Sequence, residues 1–214
     1  IKFKPDLDWI TTSNFSNELT TALNKVKTAK RTDNHYYLAF YPYVNNPDFK
    51  NENAYAKMVY PDTGFRLLTL FRYWNMIQYY FPYKNLIEED WKMVLEEFIP
   101  KFLQAKDEIE YTLTTLEIIA RIHDTHANIW GGNAVLNKFY GSKFGVAEIK
   151  FIEDKAVVTR FYDDKLGEES GLKVGDIIAS VNQKPIEEFV KDKLPRTPAS
   201  NYPTQLRDIA NLVL

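Results

Sequence analysis

The amino-acid sequence predicts an α+β protein in which a helical part is followed by a part made of strands and tight turns. Of the eight glycines, only Gly64 precedes residue 130, and the other seven lie between Gly131 and Gly175. Because glycine serves turns and left-handed backbone conformations, this asymmetry indicates a change of architecture near residue 131. Apolar residues recur at helical spacing over 62–120, whereas 145–162 contains two runs typical of strands.

Three amphipathic helices are predicted before the glycine-rich part, and together they can bury one core as a small bundle. The first begins near Asp62 and ends at Pro82, and the second begins at the acidic residues 88–90. Pro100 is expected to kink the second helix or to divide it. The third begins near Asp107. Its inward face is expected to contain Ile109, Leu113, Leu116, Ile119 and Ala120.

Residues 1–61 contain weaker signals and no motif that assigns them a role. Ser16 is a candidate N-cap for a helix over 16–31. The aromatic residues of 35–43 alternate loosely and indicate a possible strand, and 44–53 is expected to be a loop.

The glycine-rich part has a regular succession of predicted elements. Two strands over 145–162 join at Glu153-Asp154-Lys155, and a further strand covers 176–181. A turn at 182–184 leads into a short helix from Ile186 to Lys193. The segment 199–214 again favours a helix, and its apolar end at Leu214 leads us to expect that the natural chain continues.

Composition excludes several classes of function. The net charge of −2 offers no general attraction for nucleic acid or anionic lipid. No apolar run is long enough to span a membrane. The absence of cysteine rules out disulfides, thiolate zinc sites and a cysteine nucleophile. The first residues lack the apolar core of a signal peptide, so a leader is not expected within this chain.

The stretch SGLKVGDIIASVNQKPI, residues 170–186, resembles the central signature of a PDZ domain. That signature is Gly-Leu-x-x-Gly-Asp-x-Ile followed by a turn that contains Asn, and Gln183 stands where the family usually has Gly. The order of elements resembles the circularly permuted bacterial type. The resemblance implies a mainly-β PDZ domain over 136–196, which would accept an extended peptide as an additional strand.

A second resemblance extends over about residues 62–214. Three motifs carry it, in the family's order: FRYWNMIQYYFPY at 71–83, DWKMVLEEFIPKF at 90–102 and EIIARIHDTHANI at 117–129. They resemble the N-terminal helical region of the C-terminal-processing (tail-specific) serine peptidases, in particular tricorn-like and Bacteroidetes-type members. The resemblance implies a helical domain over 62–135 before the PDZ domain, and the start of a catalytic domain over 197–214.

The same resemblance implies a function for the chain. It would be the non-catalytic portion of an exported peptidase of the periplasm or cell envelope, which binds and positions polypeptide substrates, chiefly by their C-termini, without a cofactor. The catalytic domain with its nucleophilic serine is not in this sequence. The sequence also lacks a Gly-x-Ser-x-Gly elbow, so we expect no hydrolysis by this chain alone. The alternative is a scaffold or adaptor that binds the C-terminal tails of partner proteins.

Two of the three histidines, His123 and His126, flank Asp124 and Thr125. Their spacing fits one helical face, but a zinc site needs a third ligand, so no metal is expected. Asp124-Thr125-His126 resembles the Asp-Ser-His motif of tricorn-like relatives. That resemblance implies that His126 is the candidate base of the intact protein and Thr125 an orienting hydroxyl. The alternative is that these residues cap the helix end, and His123 has no assigned role.

The candidate peptide groove begins at the loop from Tyr140 to Gly145. Backbone amides of such a glycine-containing loop hold a terminal carboxylate, and Lys143 adds charge attraction. Phe144 and Val146 are expected to line the pocket, with Phe189 or Val190 on the opposite helix. The loop residues predicted to bind substrate are Gly141, Ser142, Lys143, Phe144 and Gly145.

Overall fold

The computed structural model describes residues 5–30, 35–141 and 143–214. Helices make up 48% and strands 12% of the structure, so the chain is an α+β protein as predicted. It falls into two compact units. One consists of Ile1–Met58 with Asn75–Pro82, and the other of Val59–Trp74 with Tyr83–Leu214.

The first unit contains two helices and a short antiparallel hairpin. Ser16 caps its longer helix as predicted, because its Oγ accepts a hydrogen bond from the N–H of Leu19 at 3.3 Å. The helix ends at Thr28, with Ala29 as its C-cap, and so is shorter than the predicted helix over 16–31. The predicted loop 44–53 contains a strand, because the preceding strand pairs with it in the register Leu38↔Phe49. The elements are α1 (Trp9–Thr12), α2 (Asn17–Thr28), β1 (Leu38–Phe40) and β2 (Pro47–Phe49).

The three predicted amphipathic helices are present as α3 (Thr63–Tyr80), α4 (Trp91–Gln104) and α5 (Glu108–Ala120). Asp90 and Asp107 cap the second and third of them through their side chains. Helix α4 runs through Pro100, so the predicted division of this helix is wrong. The fully buried side chains of Phe98 and Phe102 hold the helix on both sides of the proline.

The buried face of α5 differs in part from the predicted one. Ile109 is 39% exposed, and Ile118 is buried at 1% exposure. Leu113, Leu116 and Ala120 are buried as expected. The difference arises because packing covers more than one side of the helix, whereas the prediction assumed a single apolar stripe.

Reciprocal polar contacts join these helices within the second unit. The indole N–H of Trp74 donates to the carbonyl of Trp91 at 2.6 Å, and the indole N–H of Trp91 donates to the carbonyl of Trp74 at 3.1 Å. The hydroxyl of Tyr111 donates to Oγ1 of Thr69 at 3.0 Å. Buried tryptophan and tyrosine thus satisfy their polar groups where the helices meet.

The predicted hairpin after residue 145 is confirmed as β3 (Ala147–Ile152) and β4 (Lys155–Phe161). Glu153 and Asp154 both have positive φ, 48° and 60°, as a tight two-residue hairpin turn requires. The short β5 (Ile177–Ile178) completes a sheet of order β3-β4-β5. A separate hairpin pairs β6 (Ser180–Val181) with β7 (Lys184–Pro185).

Helices alternate with strands in the glycine-rich part, so this region is less purely β than predicted. Helix α8 (Ile186–Lys193) has the predicted bounds, and α9 (Tyr202–Ala210) lies in the predicted final helix. The sequence analysis missed α6 (Ala134–Tyr140) and α7 (Asp164–Ser170). Both have only seven residues, and the capping side chains of Asn133 and Asp163 were the available signals.

The second unit places α9 against the edge strand β3. Ala210 of α9 and the following Val213 lie in one buried cluster with Ala147 and Ile149 of β3. Leu206 and Ile209 pack with Val190 of α8, and Phe151 and Phe189 cover this group. The edge of β3 therefore lies beside a helix that is anchored by its own apolar face.

A network of charges covers the outer side of α4 and α5. The guanidinium of Arg121 donates to Glu89 at 2.7 Å and to Glu97 at 3.0 Å. Lys101 donates to Glu97 and to Glu117, both at 2.7 Å. Burial opposes ionisation of Glu97, but the hydrogen bonds from Lys101 and Arg121 outweigh it and hold the pKa of this carboxyl below its usual value.

We expect Glu97→Gln to make stability less sensitive to acid. A lowered pKa in the folded state stabilises the protein above the unfolded pKa of about 4.3, and this stabilisation is lost as the pH falls through the folded value. Because the Glu97 side chain is 40% exposed, we expect at most about 1 kcal/mol. Urea unfolding between pH 6 and pH 3.5 measures the effect. The control is Glu169→Gln, whose carboxylate lies 4.0 Å from Lys165 on the surface. Equal acid slopes for Glu97→Gln and the unmodified protein would contradict this assignment.

Candidate functional site

The histidine motif forms a tight turn directly after α5. His123 adopts a left-handed conformation with φ 51°, and its N–H donates to the carbonyl of Ala120 at 3.2 Å. Oδ1 of Asp124 accepts the N–H of His126 at 2.8 Å and lies 3.3 Å from Nδ1 of the same residue. The His126 side chain is 96% exposed. Asp124 therefore organises the turn, and the imidazole extends into solvent.

The carboxylate of Asp124 is less accessible than the imidazole, since its side chain is only 29% exposed. Burial, and secondarily the negative charge of Asp124, raise the pKa of the Tyr73 hydroxyl. That hydroxyl is buried and has no hydrogen-bond partner among the described residues. The Asp124 carboxylate thus influences the buried hydroxyl of Tyr73, whereas the His126 imidazole faces solvent.

Thr125 contacts a residue that the sequence analysis did not select. Its Oγ1 lies 2.9 Å from Oγ of Ser200 and accepts the N–H of Ser200 at 3.1 Å. The N–H of Thr125 donates back to Oγ of Ser200 at 3.3 Å. Ser200 precedes Asn201, the N-cap of α9. This contact links the histidine motif to the start of α9, and its 75-residue separation left no local signal in the sequence.

The backbone of the motif is also held from the following segment. The indole N–H of Trp130 donates to the carbonyl of His126 at 2.9 Å, while 72% of Trp130 remains exposed. The part of the chain that the structure describes contains no group of three or more His, Cys, Asp or Glu that could hold a metal ion. The His126 imidazole therefore lies on the surface of the turn, beside the carboxylate of Asp124.

The loop after α6 brings only some of the predicted binding residues together. Gly141 ends the helix with φ 92°, and Lys143 and Phe144 are exposed. Ser142 lies outside the described residues. The N–H of Gly145 donates to the carbonyl of Leu214 at 3.1 Å, and the carbonyl of Val146 accepts the N–H of Tyr162 at 3.0 Å. The amide of Gly145 is therefore bound within the chain.

The groove beside β3 is bounded by α9, whereas the sequence analysis expected α8. A cavity of about 460 Å³ lies between the two elements. Phe189 instead lines a different cavity together with Tyr140 and Lys193. The missed signal was the apolar spacing of Leu206, Ile209, Ala210 and Val213, which places all four on one helical face. The residues that line this groove include Ile149, Lys150, Phe151, Tyr202, Leu206 and Arg207.

Charges of both signs border this groove. Lys150 and Arg207 supply positive charge, and Glu148, Glu153 and Asp154 supply negative charge. A hydrogen bond from Arg160 is the main reason that the pKa of Glu148 lies below its usual value. The groove is thus polar at its rim and apolar where Ile149 faces α9, an arrangement that suits an extended chain with alternating side chains.

No model of a known protein family matches the chain, and a search among curated proteins finds no significant similarity. Within the described residues, every helix is too short or too polar to cross a lipid bilayer. A function for this chain therefore has to be inferred from the geometry of the groove and of the histidine motif.

Proposed function

We propose that this chain binds an extended polypeptide segment along the outer edge of β3, beside α9. The observation that carries the proposal is the sheet order β3-β4-β5, in which β3 pairs with only one of the described strands. Such an edge presents backbone donors and acceptors that can bind a further strand. The cavity between β3 and α9 supplies the room for its side chains.

The side chains of the groove favour a peptide with apolar residues at alternate positions. Ile149 and Phe151 project to the same face of β3, because side chains in a strand alternate with a period of two. Ile149 clusters with Ala210 of α9, and Phe151 packs against Leu206 and Ile209 of the same helix. Lys150 and Arg207 at the rim, together with the carboxylates there, add contacts for polar peptide groups.

Lys143 is the proposed contact for the carboxylate at the end of the peptide. It is exposed and makes no ion pair with any described residue. The loop that contains Lys143 leads directly into β3. A peptide whose terminal carboxylate lies beside Lys143 would therefore have its preceding residues along the groove. Because the amide of Gly145 is already bonded to Leu214, we assign the attraction to the charge of Lys143.

We further propose that the peptide is a substrate and that this chain positions it for a serine-type peptidase domain outside the sequence. The resemblance of three helical motifs and the PDZ-like segment to tail-specific peptidases supports this role. His126 is the candidate base, since its imidazole is exposed and is oriented by Asp124 at 3.3 Å. By the same resemblance the protein is exported.

We expect a peptide with an apolar C-terminus to bind about tenfold more tightly as a free acid than as an amide, a difference of about 1.4 kcal/mol. Fluorescence anisotropy with a labelled peptide measures both affinities. Lys143→Gln should remove most of the preference for the acid, because it removes the charge that attracts the carboxylate. Lys155→Gln, on the exposed hairpin, is the matched control.

The variant Tyr202→Ala separates groove binding from carboxylate attraction. Tyr202 lines the groove and is 47% exposed. Truncation of its side chain should therefore weaken the binding of the acid and of the amide peptide to the same extent while the fold is retained. Equal affinities of acid and amide would overturn the role of Lys143. Absence of binding by both peptides would overturn the groove itself. Binding without turnover by a protein that includes the proposed peptidase domain would favour the adaptor over the peptidase.

A further inference from the structure

Lys193, at the end of α8, is surrounded by aromatic rings instead of carboxylates. Its Nζ lies 5.4 Å from the ring centre of Phe139, 5.3 Å from that of Tyr140 and 5.2 Å from that of Phe189. Each distance is within the range of a cation–π interaction. No described residue forms an ion pair with Lys193. Its charge is therefore balanced only by the faces of the three rings.

Arg196 supplies a second positive charge three residues later. Its Nε is buried and has no hydrogen-bond partner among the described residues. Arg196 borders two cavities, of about 290 Å³ and 590 Å³, and Tyr140 lines both of them. An enclosed guanidinium N–H without an acceptor is costly, and an acceptor entering the adjoining space would satisfy it.

The segment that carries both cations is held by its own hydrogen bonds. Oγ1 of Thr197 donates to the carbonyl of Lys193 at 2.9 Å, and the side-chain amide of Gln205 donates to the carbonyl of Thr197 at 3.1 Å. Leu194–Arg196 forms a 3-10 turn between them. The two positive charges are thus held in place before any ligand arrives, which lowers the entropic cost of binding.

The nearby acids are already engaged. Asp192 forms an ion pair with Lys184, and Asp208 accepts a hydrogen bond from Arg207 at 2.8 Å. Burial, followed by the positive charges of Arg196 and Lys184, lowers the pKa of Lys193. The local excess of positive charge is therefore unfavourable as it stands, and a bound anion would relieve it.

We propose that Lys193 and Arg196 form a binding site for a carboxylate carried on an apolar or aromatic group. The two cations hold the carboxylate, and the rings of Phe139, Tyr140 and Phe189 contact its apolar body. Neither cavity shares a lining residue with the groove beside β3. The site therefore has a lining separate from that of the groove beside β3, although Tyr140 belongs to the loop that also contains Lys143.

Phenylacetate is a suitable probe because it combines a carboxylate with a ring, and 2-phenylethanol is its neutral analogue. We expect isothermal titration to show binding of phenylacetate at least about tenfold tighter than binding of 2-phenylethanol. Arg196→Gln and Lys193→Gln should each weaken phenylacetate about tenfold or more. Lys165→Gln is the control, because the Lys165 side chain is 84% exposed and lies on another helix.

A second measurement reports on the site without relying on affinity. Titration of Lys193 by NMR should show its pKa rising when phenylacetate binds, and also rising in Arg196→Gln, because both changes reduce the surrounding positive charge. Both variants are checked for folding by urea unfolding, and either one alone suffices for the test. If phenylacetate and 2-phenylethanol bind equally well, the proposed recognition of a carboxylate is wrong. If sulfate binds as tightly as phenylacetate, the proposed contact of the rings with an apolar group is wrong. Unchanged affinity in a folded variant would overturn the site.

Discussion

Arg66→Ala is expected to lower the free energy of unfolding by about 3 kcal/mol, because it leaves buried carbonyl groups without donors. Arg66 is 6% exposed. Its Nε donates to the carbonyl of Phe102 at 2.9 Å, and its Nη2 donates to the carbonyl of Leu103 at 3.2 Å. These carbonyls belong to the last turn of α4, where helical carbonyls lack partners within the helix.

Arg66 makes two further hydrogen bonds. Nη1 donates to the carbonyl of Pro61 at 2.9 Å, and Nη2 donates to Oγ1 of Thr63 at 3.0 Å. One planar guanidinium therefore joins the start of α3 to the end of α4, and its charge suits the negative end of the helix dipole. Lysine cannot reproduce this fork, so Arg66→Lys should retain only part of the stability.

Urea unfolding of Arg66→Ala and Arg66→Lys measures both effects. Arg160→Ala is the control, because the Arg160 side chain is 65% exposed and contacts only surface groups such as Glu148. We expect the control to change stability by less than about 1 kcal/mol. If Arg66→Ala changed stability as little as this control, water would replace the guanidinium and the bridge between the helices would be dispensable.

Ile209→Ala is expected to destabilise the protein by about 3 kcal/mol and to remove peptide binding beside β3. Ile209 is fully buried, so its truncation leaves a cavity among Val190 and Leu206. Helix α9 then loses the packing that holds it against β3. Ile209→Val removes one methylene and should cost about 1 kcal/mol with little effect on the groove.

The two readouts of this experiment are independent. Urea unfolding tests the packing, and anisotropy with the labelled peptide, at a temperature where the variant is folded, tests the proposed function. Val174→Ala is the control, because Val174 is 62% exposed. If Ile209→Ala lowers stability but leaves the peptide affinity unchanged, the packing role of Ile209 is supported and α9 is rejected as a wall of the groove. Unchanged stability would reject the packing itself.

Local signals account for the parts of the fold that could be predicted. Asp90 and Asp107 identified the starts of two helices because an N-cap acts on amides only two or three residues away. The hairpin at Glu153 and the bounds of α8 followed from equally short patterns. Residues 44–53 contain a strand that the sequence did not indicate, because its pairing with β1 depends on a partner outside the segment.

The candidate site was predicted less completely than the fold. The sequence selected Asp124 and His126, and the hydrogen bond between them is local. It did not select Ser200, because the contact with Thr125 spans 75 residues. The sequence also did not identify Arg196, because the burial of its Nε and the cavities beside it are features of the tertiary structure.

The sequence by itself determined the α+β class, the starts of the main helices and the hairpin, because each depends on residues close together along the chain. Only the tertiary structure decided that α9, and not α8, lies along β3, and that Lys193 and Arg196 have no acidic partner in the described part of the chain. Which apolar faces meet depends on the packing of all elements at once. Whether a charge is compensated depends on neighbours that are distant in sequence. Patterns of neighbouring residues in the sequence therefore predict neither which apolar faces meet nor which charges are compensated.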